Sequence, residues 1–408
     1  MILLLFEYFS SIGIKIPSVF YYSSTRMILA AMTTMACTIL MGPRVISKLY
    51  ALKTGQSIRV EDCPPLAQLH QKKKETPTMG GILILFSMVI ALLLWMDLSS
   101  SFTLILLITT IWLGFVGGID DYLKLKYKNS QGMKAKKKFL AQAALGGFLA
   151  MYLLWPVATD AINTNHFFHP PVAKEQISVI KDDQSKIEVA TISLNTSQFM
   201  SRYYIPFSKE PLFTLSGAFL GLGFLSTIFV VTGCSNAVNL TDGLDGLAAG
   251  CVVMVSFVLG VVAFLSNNIE ISRYLNILYI EDSGEIAIYL FALIGACLGF
   301  LWYNSHPAQV FMGDIGSIPL GGIIGVSAVL LRREILLALI GGIFVAEALS
   351  VILQVGSYKM RDRKRIFLCA PLHHHFEYKG WPETKVVLRF WIVGLILAII
   401  GIASLKFQ

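Results

Sequence analysis

Apolar stretches of roughly 17 to 25 residues recur along almost the whole chain, and polar residues gather in the gaps between them. Each stretch is long enough to cross a bilayer as one helix. Ten stand out: Tyr22 to Met41, Met79 to Trp95, Phe102 to Ile119, Lys138 to Trp155, Leu212 to Val231, Leu247 to Leu265, Ile286 to Tyr303, Ser317 to Leu331, Ile335 to Val355 and Phe390 to Leu405. The pattern predicts an all-α polytopic membrane protein with about ten transmembrane helices, one integral membrane domain over residues 1–408. Met1 to Ile16 is apolar as well, but it opens without a basic segment, carries Glu7 and lacks a small-residue cleavage site, so it does not read as a signal peptide. Composition agrees with the pattern: 55% hydrophobic residues, 14% charged residues and a mean hydropathy of +0.68 exclude an ordinary soluble protein. The six cysteines lie in apolar runs or singly in loops, without a Cys-x-x-Cys pair, and imply neither a disulfide framework nor a zinc site.

A net charge of +8 raises a nucleic-acid partner, and the placement of the charge excludes it. Of 33 Lys and Arg residues, 22 fall in the loops Pro43 to Thr78, Asp120 to Lys138 and Ser357 to Arg389. With ten spans these loops share a side, and the positive-inside rule makes that side cytoplasmic, with both termini on the opposite side, which in a bacterial inner membrane is the periplasm. Arg332 and Arg333, in the turn between the eighth and ninth runs, fall on the opposite side and stand against the rule.

The same parity adds Thr232 to Gly246 and Asn304 to Gly316 to the cytoplasmic loops, and every dense polar motif lies in these five segments. Pro156 to Pro211 reads as an extended periplasmic loop without catalytic pattern. The sequence contains no Walker A motif, no strand-associated Gly-x-Gly-x-x-Gly and no internal repeat.

Asp120 and Asp121 end an apolar run, where charge is costly and tends to serve function. They either cap the span against Lys124, Lys128 and Lys138 or seat a Mg²⁺ carrying a diphosphate. In Asn236 to Gly246, two amides and the acids Asp242 and Asp245 stand among glycines that permit tight turns beside a ligand. Asp314 is a lone acid between glycines at a helix start, suited to hold phosphate through the backbone. Phe311 offers a ring to stack on a base, and Asn304 an amide to read one. His373, His374 and His375 would point about 100° apart on a helix and cannot converge on one ion, so phosphate or hydroxyl binding suits them better. Glu347 and Gln354, seven residues apart on one face of the ninth run, serve either a site or helix packing.

Together with Thr76-Pro77-Thr78-Met79-Gly80-Gly81 and Lys379-Gly380-Trp381-Pro382-Glu383, these blocks resemble the phospho-MurNAc-pentapeptide transferase branch of the polyprenyl-phosphate N-acetylhexosamine-1-phosphate transferases. The resemblance runs from about Met41 to the C-terminus. It implies a ten-helix fold with a cytoplasmic active-site cleft, and transfer from UDP-MurNAc-pentapeptide to undecaprenyl phosphate with Mg²⁺, giving lipid I and UMP. It also admits a homodimer. Lys73, Thr78, Asp120, Asp121, Asn239, Asp242, Asp245, Asn304, Phe311, Asp314, Gln354, His373, His374 and His375 match family site positions, with Asp314 as the metal ligand. Asp120, Asp121, Asp314 and His374 are the expected catalytic group, with Lys124 and Lys138 as substrate-binding cations. The first loop is slightly longer than the family pattern between Arg59 and His70, and so is the stretch 156–211. A transporter is the competing class for a chain with this many spans, but its site would lie at mid-membrane rather than at one face.

Overall fold

The computed structural model describes residues 2–15, 17–52, 76–127, 132–162, 171–180, 187–361 and 363–406. Its helices are α1 (Ile2–Ser11), α2 (Ser23–Ala51), α3 (Gly81–Trp95), α4 (Ser101–Tyr127), α5 (Ala135–Leu154), α6 (Pro156–Ile162), α7 (Thr196–Met200), α8 (Leu220–Thr241), α9 (Leu247–Ser266), α10 (Ile269–Tyr274), α11 (Ser283–Asn304), α12 (Asp314–Leu330), α13 (Glu334–Ile340), α14 (Gly342–Met360), α15 (Leu372–Tyr378) and α16 (Glu383–Ala403). Among the described residues seven helices are long and apolar enough to cross a membrane, or eight if α5 and α6, bent by 95°, form one span. The shorter apolar helices α3 and α12 complete the bundle. Each of the ten apolar runs falls on one of these helices, with a difference at the ninth. There the chain breaks at Gly341 into α13 and α14.

Helix α12 is the centre of the bundle. It is apolar all round, as a helix surrounded by other helices must be, and every residue from Gly316 to Leu330 is buried. It packs against α4 and α8. The second close pair is α2 with α11, where Gly295 lets the Ala31 carbonyl approach the backbone and Thr34 Oγ1 donates to the Ala292 carbonyl at 2.8 Å. Apolar helices gain little from hiding from lipid, so such small-residue contacts and interhelical hydrogen bonds hold the pair. Leu222, Phe229, Ile352 and Leu388 stay exposed on the outer helices, as lipid-facing residues would.

Asp120, Asp242 and Asp314 lie at one end of the bundle, and a small sheet covers the other. Strands β1 (Ala173–Ile180) and β2 (Ile187–Leu194) form an antiparallel hairpin, while Arg202–Tyr203 (β3) pairs with Phe213–Thr214 (β4). Strand β5 (Tyr279–Ile280) joins the free edge of β1, giving the order β2-β1-β5. The stretch expected to be an extended loop without catalytic pattern thus contains a local hairpin, to which Tyr279–Ile280 adds a short third strand.

The two arginines that contradict the charge rule are structural. Arg332, 1% exposed, stacks on the Tyr203 ring, donates from Nε to the Arg202 carbonyl at 2.9 Å and pairs with Glu334. Arg333 lies over the Tyr204 ring. Both cations are held by the β3 segment rather than by solvent or lipid headgroups, so they carry no orientation signal. We expect Arg332→Met to destabilise the detergent-solubilised protein by about 3 kcal/mol, since it leaves Glu334 buried without its partner. A thermal midpoint that falls no further than that of the exposed control Lys209→Met would refute this role.

Candidate active site

Three helix ends meet without side chains between them. A side chain at Gly117 of α4 would collide with the Asp314 carbonyl, and one at Gly81 of α3 with the backbone of Gly316. The Thr78 to Gly81 segment also runs beside Phe311 and Met312: Phe311 N donates to the Pro77 carbonyl, Gly80 N to Phe311 and Gly81 N to Met312, each at 2.8 Å. Gly313 supplies a positive φ of 73° to turn the chain into α12, and a Cβ there would lie 2.5 Å from Asp121 Oδ2 and 2.9 Å from Thr78 Oγ1.

This close approach brings the carboxylates of Asp120, Asp121 and Asp314 together, offering oxygens within 4.8 Å of one another. Lys124, one turn past Asp120, sets its Nζ 2.6 Å from Asp120 Oδ2, 3.0 Å from Asp314 Oδ2 and 3.4 Å from Asp121 Oδ1. Lys138 Nζ, from the start of α5, is 2.5 Å from Asp314 Oδ2 and 3.2 Å from Asp120 Oδ2. Asn239 Nδ2 donates to Asp314 Oδ1 and to Ser317 Oγ, both at 2.8 Å, and Asp121 Oδ2 accepts from Ile315 N at 2.9 Å. Two ammonium groups against three carboxylates leave one negative charge over, in a set of hard oxygen donors that fits a divalent cation. The sequence named Asp314 as the metal ligand and left Asp120 and Asp121 either as a cap or as a seat for Mg²⁺; the geometry brings all three carboxylates together as candidate ligands.

Asp242 follows the end of α8. Burial, then the fields of Asp314, Asp121 and Asp245, push its carboxyl up to about 8 against the pull of Lys124. Asp245 belongs to a second cluster that the sequence did not reveal. Its Oδ2 lies 3.1 Å from His306 Nδ1, its backbone N–H donates to Glu383 Oε1 at 2.8 Å, and Glu383 Oε2 is 3.5 Å from the same imidazole. His306 stands two residues past Asn304 and Glu383 opens α16, so only the fold joins them. The Asn304 amide is occupied within the protein, accepting from Gly246 N at 3.0 Å and donating to the Val310 carbonyl at 2.8 Å. It shapes the loop beneath Phe311.

The three histidines on α15 turn to three partners, as their angular spacing predicts. His373 is fully buried against Glu347, 3.2 Å from Nδ1 to Oε2, and its Nε2 fills the space that a side chain at Gly243 would need. His374 Nδ1 lies 2.7 Å from Glu377 Oε2. His375 Nδ1 accepts from Leu368 N at 3.1 Å. His373 thus ties this loop to the Asp242 block, and Glu347 acts through it. Gln354 holds the Ile366-Phe367 backbone with both ends of its amide, at 2.9 to 3.0 Å. Lys73 lies outside the described residues.

Residues 103–332, which hold the Asp pair, the Asn236 to Gly246 block and Asp314 of this helical membrane bundle, match the family model of glycosyl transferase family 4. Residues 73–85 match the first phospho-N-acetylmuramoyl-pentapeptide-transferase signature. The chain is 62% identical to the phospho-N-acetylmuramoyl-pentapeptide-transferase of Protochlamydia amoebophila, covering 100% of both chains. It is 46% identical to that of Psychrobacter cryohalolentis over 94% of each and 44% to that of Thermodesulfovibrio yellowstonii over 96% of each. The chain belongs to the phospho-N-acetylmuramoyl-pentapeptide-transferase family.

The site's geometry yields a direct test. Gly313→Ala adds a methyl group against Asp121 and strains a left-handed turn, displacing Asp314; misplacement of about 1 Å costs on the order of 100-fold in rate. Turnover within threefold of the unchanged protein, measured on the same preparation, would show that the turn at Gly313 does not position the site.

Proposed function

We propose that this protein transfers phospho-MurNAc-pentapeptide from UDP-MurNAc-pentapeptide to undecaprenyl phosphate, releasing UMP and leaving lipid I in the inner membrane. The observation that carries this reading is the meeting of Asp120, Asp121 and Asp314 with Lys124 and Lys138 at one end of the bundle. A site confined to one end suits an enzyme working at a membrane face and does not suit a transporter. The loop charges support ten spans with periplasmic termini and a cleft on the cytoplasmic side, once Arg332 and Arg333 are removed from the count. The exposed apolar faces of α8 and α14 suit lipid, including the carrier chain, and leave room for a second copy in a homodimer.

In the reaction an oxygen of the lipid phosphate bonds to the sugar-side phosphorus of the donor, while the bond from that phosphorus to UMP breaks and its electron pair leaves with UMP. A phosphate monoester has its second pKa near 6, so the nucleophile is already largely dianionic at neutral pH and needs placement more than activation. Lys124 and Lys138 face the phosphates and offset their charge; buried Asp120 aims both ammonium groups, and Asn239 fixes the Asp314 carboxylate. Mg²⁺, held by Asp314 with Asp120 and Asp121, would neutralise the charge developing on the diphosphate. Phe311 stacks the uracil base beside Asp245, and Lys73 and Thr78 border the donor. Asp242, His374 and His375 serve the sugar and peptide arm, while buried His373 holds their loop against Gly243.

Two outcomes are expected when purified protein is given Mg²⁺, polyprenyl phosphate and donor, with UMP release as the readout. Asp314→Asn lowers turnover about 10³-fold or more while the protein stays folded in detergent, because one hard, charged oxygen is lost where charge develops. Near-normal rates at millimolar Mg²⁺ would sink that assignment. The intact protein prefers UDP-MurNAc-pentapeptide over UDP-GlcNAc by about 10⁴-fold, since a site built for polar contacts leaves them unpaired when the peptide arm is missing. Comparable UMP release from both donors would overturn the choice of substrate.

A further inference from the structure

Gln142 belongs to none of the motifs, and it lies fully buried on α5 one helical turn past Lys138. Its Nε2 donates to Ser235 Oγ at 3.1 Å, and its Oε1 accepts from Asn236 Nδ2 at 2.7 Å. Ser235 Oγ donates in turn to the Ile318 carbonyl at 2.9 Å, and Asn236 Nδ2 also reaches the Thr232 carbonyl at 2.8 Å. One chain of hydrogen bonds therefore runs from α8 through the Gln142 amide, back to α8 and across to α12. Ser235 precedes Asn239 by one turn, and Ile318 follows Asp314 by one turn. The chain lies directly beneath Lys138, Asn239 and Asp314, the residues these helices contribute to the charged centre.

Apolar contacts between helices are non-directional and tolerate small rotations and slips, whereas an amide whose two ends meet different partners does not. A rotation of α5 that left its apolar packing intact would break both bonds of Gln142 and carry Lys138 away from Asp314. We propose that Gln142 is a positioning residue of the transfer centre, setting the rotation and axial register of α5 against α8 and α12 so that the Lys138 ammonium group meets Asp314 and Asp120. The proposal rests on the reading of that centre as the site of phosphoryl transfer.

The full chain in detergent is assayed for UMP release from UDP-MurNAc-pentapeptide with polyprenyl phosphate. Gln142→Met keeps the volume and removes both bonds, leaving Ser235 its bond to Ile318 and Asn236 its bond to Thr232. The expected result is a fall in kcat of about 30-fold or more, with KM for the donor within threefold, because alignment rather than substrate contact is lost. Gln142→Glu keeps the acceptor toward Asn236 and, protonated in this buried setting, the donor toward Ser235; it should recover at least tenfold of that loss. A Gln142→Met enzyme with kcat within threefold of the original, a loss carried by KM, or a Gln142→Glu enzyme no better than Gln142→Met would each overturn the proposal. If Gln142→Met does not fold, Ser235→Ala, which removes the acceptor for Gln142 Nε2 together with the bond to the Ile318 carbonyl, is held to the same kcat and KM limits. Absence of UMP release from the unaltered chain would instead count against the proposed reaction.

Discussion

The site depends on one steric constraint: the backbone at the start of α12 is pressed against α3 and α4 where neither carries a side chain. Gly81 and Gly117 admit the Gly313 to Gly316 turn to a distance at which any Cβ would collide. Because Asp120 and Asp121 follow Gly117 within one turn, this approach fixes where their carboxylates stand relative to Asp314. Packed interiors deform little, so the spacing of the acids is inherited from helix packing rather than adjusted by flexible loops.

Gathering three carboxylates in a partly dehydrated place would be strongly unfavourable without the two lysines. At such separations like charges repel by several kcal/mol even at an effective dielectric near 20. Lys124 reaches Asp120 and Asp121 from their own helix, so that pairing is intrinsic to α4. Lys138 comes from the next helix, so its pairing depends on α5 sitting in one orientation. The polar layer of Gln142, Ser235 and Asn236 lies where that orientation is decided.

Much of this was readable from the chain because lipid makes polar residues conspicuous. Asp120, Asp121 and Asp314 stand out against apolar runs, and the spacing of His373, His374 and His375 already excluded a shared ion. What stayed hidden depends on partners distant in sequence. Arg332 and Arg333 look like a misplaced orientation signal until Tyr203 and Tyr204 are seen beneath them. Asn304 suggested a base reader, yet its amide holds Gly246 and Val310. Past the lysines that open α5, Gln142 is an isolated amide in an apolar stretch, and Glu383 joins His306 and Asp245 only through the fold. The break at Gly341 is equally invisible in hydropathy, since both α13 and α14 are apolar.

Gly243 looks in sequence like half of an ordinary Asp-Gly turn, where alanine or serine would be a mild change. In the folded chain that position is claimed by the imidazole of His373, so two positions far apart in sequence constrain one another. A substitution at residue 243 is tolerable only if position 373 shrinks with it, and that shrinkage would strip Glu347 of its buried partner. A mutation selected in this corner, for instance under pressure from an inhibitor lodged near Asp242, therefore has few single-step routes that leave the bundle intact.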